Sequence, residues 1–354
     1  MSTRTSTRPS NQSGLGIIEL MVSIVIGMLM VLVMFQVYQI TEGEKRTVTS
    51  GSDAQQSAAY GLFLLGQDLA MAGNVIAASA TALSGCALAA PIPVLLTAGA
   101  TDNDPDVVRV FYGGGGSLST ATPFLNNATV SSGTPGAYQV AGPVAFSPND
   151  VIVAVQGANC TMSTINSGGV AVAVTTGVAT ISHKLTSTPG NNTSATYGAV
   201  NASLINLGQP DRFAQTRYAV DPTTATLTTQ SLLPTVQAAI PAVAQVVNLK
   251  ALYGLDTDND GTVDTWQPAT GTWSAANLPS QPLATWQQIR AVRVAIVTRS
   301  DKYETTAVTP DSLGMFCSPT PCAVSMTLDS DQQHYRYKVL ETIVPLRNAV
   351  WNAP

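Results

Sequence analysis

Ser13-Gly14-Leu15-Gly16-Ile17-Ile18-Glu19-Leu20-Met21-Val22 decides the reading of this chain. A glycine, Gly14, precedes a lone carboxylate, Glu19, and the residues that follow stay apolar through Phe35. Residues 17–35 are long enough to cross a bilayer as a helix, since about 20 residues rising 1.5 Å each span about 30 Å. A charge in such a segment costs roughly 2.5–3.5 kcal/mol on insertion scales, so Glu19 needs either a partner or a proton. Two readings stand: pairing with an amine, which is strong in low dielectric, or protonation. Arg4 and Arg8 precede the span with no acidic residue, and Glu42, Glu44, Lys45 and Arg46 follow it with mixed sign. That asymmetry predicts a cytoplasmic N-terminus and a head outside the cytoplasm. No small-x-small site follows closely, which argues against a cleaved secretory signal.

Beyond Phe35 the sequence turns polar, but helical spacing persists through Val37, Ile40, Val48, Ala58, Leu62, Leu65, Leu69 and Ala72. The pattern predicts one long helix over about 16–72, open to interruption near Gly43 or Gly51 and stopped by Gly73-Asn74. Its first half is a membrane segment, and its amphipathic second half packs on the head. The division expected is a leader over 1–14, a helix over 15–73 and a β-rich head over 74–354, with an inserted region at about 80–245.

In the head the composition shifts to Ala, Thr, Val, Ser, Gly and Asn. Strand-like runs occur at 107–112, 151–155, 170–182, 225–229, 246–253, 291–297 and 335–344. Residues 113–116, 131–136 and 189–192 read as loops. These elements together predict an α+β fold, a long N-terminal helix on an antiparallel sheet. The chain has 354 residues and a net charge of −5, with its basic residues scattered. It carries no electrostatic footprint for nucleic acid.

Cysteines occur at Cys86, Cys160, Cys317 and Cys322. Outside the cytoplasm an even count suggests disulfides. Cys317-Ser318-Pro319-Thr320-Pro321-Cys322 suits local closure, which leaves Cys86 for Cys160; free buried thiols are the alternative. Neither His183 nor His334 stands at ligand spacing from a cysteine pair, which argues against a zinc site.

Asp256-Thr257-Asp258-Asn259-Asp260-Gly261-Thr262-Val263-Asp264 is the sharpest chemical motif of the head. Carboxylates at loop positions 1, 3, 5 and 9, with glycine at 6, match the start of an EF-hand loop. The Thr262 carbonyl would be the position-7 ligand for Ca²⁺. Position 12 is Gln267 instead of glutamate, and flanking helices are not evident, so any Ca²⁺ affinity would be weak. The competing reading is an acidic hairpin turn, because Asn-Asp-Gly turns the chain by itself. No Gly-x-Ser-x-Gly, phosphate loop or His-Glu-x-x-His occurs, and the chain does not read as an enzyme. His183 reads as a surface strand residue, and Arg290, Arg293 and Arg299 as solvated edge charges.

The stretch from Gly14 to Glu19 resembles the class III signal of type IV prepilins and pseudopilins. Four further segments resemble PilW-type minor pilins. Leu65-Gly66-Gln67-Asp68-Leu69-Ala70-Met71-Ala72-Gly73 is similar to the family's Leu-x-x-Asp-Leu-Arg-x-Ala-Gly, with Ala70 in the arginine's place. Tyr253-Gly254-Leu255-Asp256 is similar to its Tyr-Gly-x-Asp loop. Arg293-Val294-Ala295-Ile296-Val297-Thr298-Arg299-Ser300 resembles its Arg-x-Ala-Ile/Leu-Val-x-Arg-Ser strand, and Leu346-Arg347-Asn348 its closing signature. The cut site departs from the pattern: Leu15 replaces the usual phenylalanine, and Gly16 a common threonine.

The resemblance implies a type IV pilin fold. It also implies cleavage between Gly14 and Leu15 by a prepilin peptidase, methylation of the new N-terminus, and docking of Glu19 on a neighbouring subunit's amine. It implies a chain held in the inner membrane and then moved into the surface pilus. There it would prime assembly and sit at the tip, with other minor and major pilins and a PilY-type adhesin as partners. Adhesion and twitching motility follow for the whole machine. Two other readings remain at this point. One is a minor pseudopilin of a type II secretion system. The other is a membrane-anchored Ca²⁺- or ligand-binding module that never polymerises.

Overall fold

The computed structural model describes residues 16–76, 79–83, 86, 92–114, 121–131, 136–141, 146–173, 177–185, 194–233, 236–318 and 320–350. The leader, Gly14 and Leu15 lie outside them, as do most of the loops expected at 131–136 and 189–192. The chain divides into two compact units, Met1–Ser50 and Gly51–Pro354.

Helix α1 (Ile17–Met71) is unbroken through Gly43 and Gly51. A single glycine costs only about 1 kcal/mol relative to alanine, too little to open a helix this long. It ends where expected: Gly73 adopts φ +79°, the left-handed conformation that closes many helices. Its C-terminal part buries Ala54, Ala58, Gly61, Leu65 and Leu69, a stripe at three- and four-residue spacing. Gly61 lies close to the sheet: a Cβ there would lie 2.9 Å from Ile296 Cδ1, the mobile end of that side chain.

The head is strand-rich. The first strands are β1 (Val94–Thr97), β2 (Val107–Tyr112), β3 (Thr122–Pro123), β4 (Ala128–Val130) and β5 (Gly136–Ala141). Then come β6 (Val151–Gln156), β7 (Asn159–Ala173), β8 (Val178–Leu185), β9 (Ala195–Tyr197) and β10 (Ser203–Gly208). After them run β11 (Ala214–Asp221), β12 (Thr226–Leu233), β13 (Ile240–Ala244), β14 (Val246–Leu255) and β15 (Thr265–Gln267). The last are β16 (Ile289–Arg299), β17 (Ser312–Met315), β18 (Val324–Thr327) and β19 (Tyr337–Pro345). The run expected at 170–182 is instead both arms of a hairpin, the end of β7 and the start of β8. Val170 pairs with Ile181, and the turn passes through Gly177 at φ +65°.

Three antiparallel sheets carry the head. They have the orders β1-β2-β11-β12-β13, β3-β10-β6-β7-β8-β5 and β15-β14-β16-β19. The five- and four-stranded sheets bury one face against α1. Leu65 and Leu69 meet Val108, Val110, Tyr218, Leu227, Leu249, Ala251, Val294 and Ile296 in one core. The five-stranded sheet's other face shares a second core with the six-stranded sheet, through Phe111, Phe213, Leu233, Val153, Val155 and Ile205. The six-stranded sheet's far face forms a third core around Tyr138, Ile152, Ile181, Tyr197 and Leu204. Strand β6 is therefore buried on both faces, which explains its uninterrupted apolar run. The β17–β18 hairpin covers the outer face of the four-stranded sheet through Met315, Phe316 and Met326. The architecture is α+β, and disulfides join Cys86 to Cys160 and Cys317 to Cys322.

Candidate functional site: an exposed apolar helix and an aspartate loop

Two features are candidates for function. The first is the start of α1. Ile17, Ile18, Leu20, Met21, Ile24, Val25 and Phe35 are all exposed, and α1 is long and apolar enough to cross a membrane. Such a surface needs lipid or other apolar helices around it. Glu19 lies in the first turn, where backbone N–H groups lack carbonyl partners and a carboxylate is favourable. The Leu20 N–H closes that turn onto the Gly16 carbonyl at 3.1 Å, and Ser23 Oγ donates to the Glu19 carbonyl at 2.6 Å.

The second feature is the loop joining β14 to β15. Asp256 is fully buried at its base. Its Oδ1 accepts the Asp260 N–H at 3.1 Å, and its Oδ2 accepts the Gly261 N–H at 3.0 Å and Arg290 Nε at 2.9 Å. Burial pushes this carboxyl up, but the Gly261 N–H and Arg290 outweigh it, so its pKa lies below the ordinary range. Asp260 Oδ1 accepts both the N–H and the hydroxyl of Thr262. Asp264 Oδ2 accepts the Thr257 N–H at 2.7 Å and the Thr257 hydroxyl at 2.8 Å, which hold its pKa low. Asn259 at φ 63° and Gly261 at φ 90° turn the chain.

Asp256, Asp258 and Asp260 each bring a carboxylate oxygen within 4.8 Å of the others. That trio fits a hard cation. The wider set fits less well: Asp256 already holds a guanidinium, Asp264 turns to Thr257, and Gln267 belongs to β15. Residues of this set could hold Ca²⁺ only weakly.

Residues read as solvated in the sequence take other places. Arg290 is buried on Asp256. Arg293 Nη2 meets Glu341 Oε2 at 2.8 Å, Nη1 meets the Ser318 carbonyl at 2.9 Å, and the guanidinium lies 5.1 Å from the Phe316 ring centroid. His183 is not at the surface: it is 1% exposed and stacks on Tyr138 at 4.0 Å. Among the described residues neither of its ring nitrogens has a hydrogen-bond partner. Asp68, part-buried in α1, accepts hydroxyl protons from Tyr218 at 2.8 Å and Tyr112 at 3.3 Å, tying the helix to the five-stranded sheet. Burial raises the Asp68 carboxyl above its ordinary pKa against those hydrogen bonds. Burial, and then Asp68, raise the Tyr112 phenol to about 12.

A family model described as Type IV Pilus-assembly protein W matches residues 213–348. The matched region runs from the start of β11 past β19 and contains the aspartate loop, Arg290 and Arg293. No curated protein and no solved structure matches the chain.

Proposed function

We propose that this PilW-type type IV pilus protein is a minor pilin that helps prime pilus assembly and sits at the pilus tip. The observation that carries the reading is the exposed apolar start of α1 with Glu19 among its side chains. A helix like this is served in two settings. Before assembly the bilayer surrounds it, with the N-terminus in the cytoplasm and the head outside. After cleavage between Gly14 and Leu15, other pilin helices replace the lipid, and Glu19 meets a neighbour's new amine. The two changes neutralise two charges that are costly alone in lipid. The family match over residues 213–348 supports the pilus over a secretion apparatus.

The role is structural, with other minor and major pilins and a PilY-type adhesin as partners. The aspartate loop adds a weak Ca²⁺ site in the head, held by Asp256, Asp258 and Asp260. Identification of the mature N-terminus in cells with and without a prepilin peptidase tests the reading. A peptidase-dependent start at Leu15 is expected, and an intact Met1 in both would contradict it.

A further inference from the structure

Arg109 on β2 and Arg217 on β11 are direct partners across an antiparallel pair. Both side chains therefore leave the same face of the five-stranded sheet. Gln230 on β12 stands next in that row. The row is opposite the face that carries Val108, Val110 and Tyr218 toward α1.

Both arginines are half-buried. Like charges directly opposed on neighbouring strands are destabilising, and partial desolvation adds to the cost. Burial, and then Arg217, hold the Arg109 guanidinium below its ordinary pKa. The ion pairs of the described residues all use other cations. All 21 Asp and Glu residues of the chain lie among the described residues, so no other segment has a carboxylate side chain to offer. Elsewhere the fold behaves differently: Lys250, Arg290 and Arg293 each receive a carboxylate within 3.0 Å. A chain with net charge −5 thus holds two cations side by side with no carboxylate within ion-pair distance of either.

Beside Arg217 lies a cavity of about 500 Å³, lined by Ala219, Thr228, Ala239 and Pro241. Asp221 also lines it, but its two oxygens accept the Thr223 N–H and the Thr224 hydroxyl, each at 2.9 Å.

We propose that Arg109 and Arg217 form a binding site for a doubly charged tetrahedral oxyanion, a phosphate or sulfate group. Two guanidinium charges require two negative charges, and a single carboxylate leaves one of them uncompensated. Each guanidinium presents a planar fork that bonds two oxygens in parallel, and a tetrahedral group has oxygens for both forks. Gln230, next in the row, donates one amide proton to the Gln237 carbonyl at 2.9 Å and has a second to offer. The adjoining cavity has room for whatever the oxyanion is attached to. This site does not depend on the pilus reading.

The test is thermal unfolding of the full chain in detergent micelles at pH 8, at matched ionic strength in chloride, inorganic phosphate or inorganic sulfate. A sulfated disaccharide forms a further arm. At tenfold excess over Kd, phosphate or sulfate raises Tm by about 2 °C over chloride, and Arg109→Gln and Arg217→Gln each abolish the rise. A rise at lower concentration with the disaccharide assigns the group to a glycan. A rise confined to the inorganic ions assigns it to the free anion. No rise over chloride in the parent chain, or an equal rise in both variants, overturns the site.

Discussion

The four-stranded and six-stranded sheets bury polar groups in opposite ways. In the four-stranded sheet, cations go inside and each receives its carboxylate. Lys250, 4% exposed, donates to Asp106 Oδ1 and to the Thr101 carbonyl, each at 3.0 Å. Asp106 also accepts the Gly99 and Ala251 N–H groups at 2.9 Å. Arg290 and Arg293 repeat the pattern with Asp256 and Glu341. The first two pairs bind the loops that carry Asp106 and Asp256 to the sheet, and the third joins β16 to β19. In the six-stranded sheet His183 is buried among uncharged rings, while Asp150, at the start of β6, is held by the neutral amides of Asn206 and Gln209 in place of a cation. His183 stacks on Tyr138, and Phe124 and Tyr197 pack around the same tyrosine. The difference teaches that one sheet depends on charge pairing, so it is vulnerable to deletion of a partner. The other keeps the His183 imidazole among uncharged rings, so it is vulnerable to acid.

Removing a partner from the first sheet has the largest expected effect. Lys250→Ala leaves Asp106 buried without its ammonium, at a cost of about 3–5 kcal/mol. Denaturant unfolding measures it, and a loss under about 1 kcal/mol would break the contrast. Acid acts on the second sheet. Burial lowers the His183 pKa from its ordinary value of 6.5 to about 4. The unfolded imidazole takes up a proton before the folded one does, so stability is full above pH 6.5. It is lost progressively as pH falls toward 4, by about 3 kcal/mol in all. Hydrogen exchange at pH 7 and pH 4.5 should show loosening centred on β5, β7 and β8 in the parent chain and none in His183→Phe. Equal loosening in the variant would assign acid sensitivity elsewhere.

Ca²⁺ has the smallest expected effect. Because Arg290 already shares Asp256, millimolar Ca²⁺ should raise Tm by less than about 2 °C, and Asp258→Asn should remove that rise. No response in the parent chain would leave the loop as a turn alone, with Arg290 in the role of its cation.

The helix and the one-sidedly patterned strands were legible in the sequence. Nineteen nearly uninterrupted apolar residues from Ile17 and the Gly73-Asn74 stop placed α1 to within a residue or two. Val107–Tyr112 was placed to the residue. The β7–β8 hairpin was blurred because Val170, Val172 and Val178 continue one β-branched composition across Gly177. Ser203–Gly208 and Ala214–Asp221 escaped notice because they are short or mixed in polarity, and their burial comes from other sheets. Arg290 and Arg293 were misread because their carboxylates lie 34 and 48 residues away in sequence. The Arg109–Arg217 pair depends on strand register, which a single sequence does not display. Asn259-Asp260-Gly261 announced the turn of the aspartate loop, but nothing nearby announced that Arg290 would seat on Asp256.

The most direct measurement on the central claim is intact mass and N-terminal fragment spectrometry of the chain from native membranes and sheared filaments, with and without the prepilin peptidase. The account predicts a mature chain starting at N-methylated Leu15, present in the filaments and dependent on the peptidase. A chain that keeps Met1 in both strains and never enters filaments would contradict it, and would leave a membrane-anchored binding module in place of a pilin.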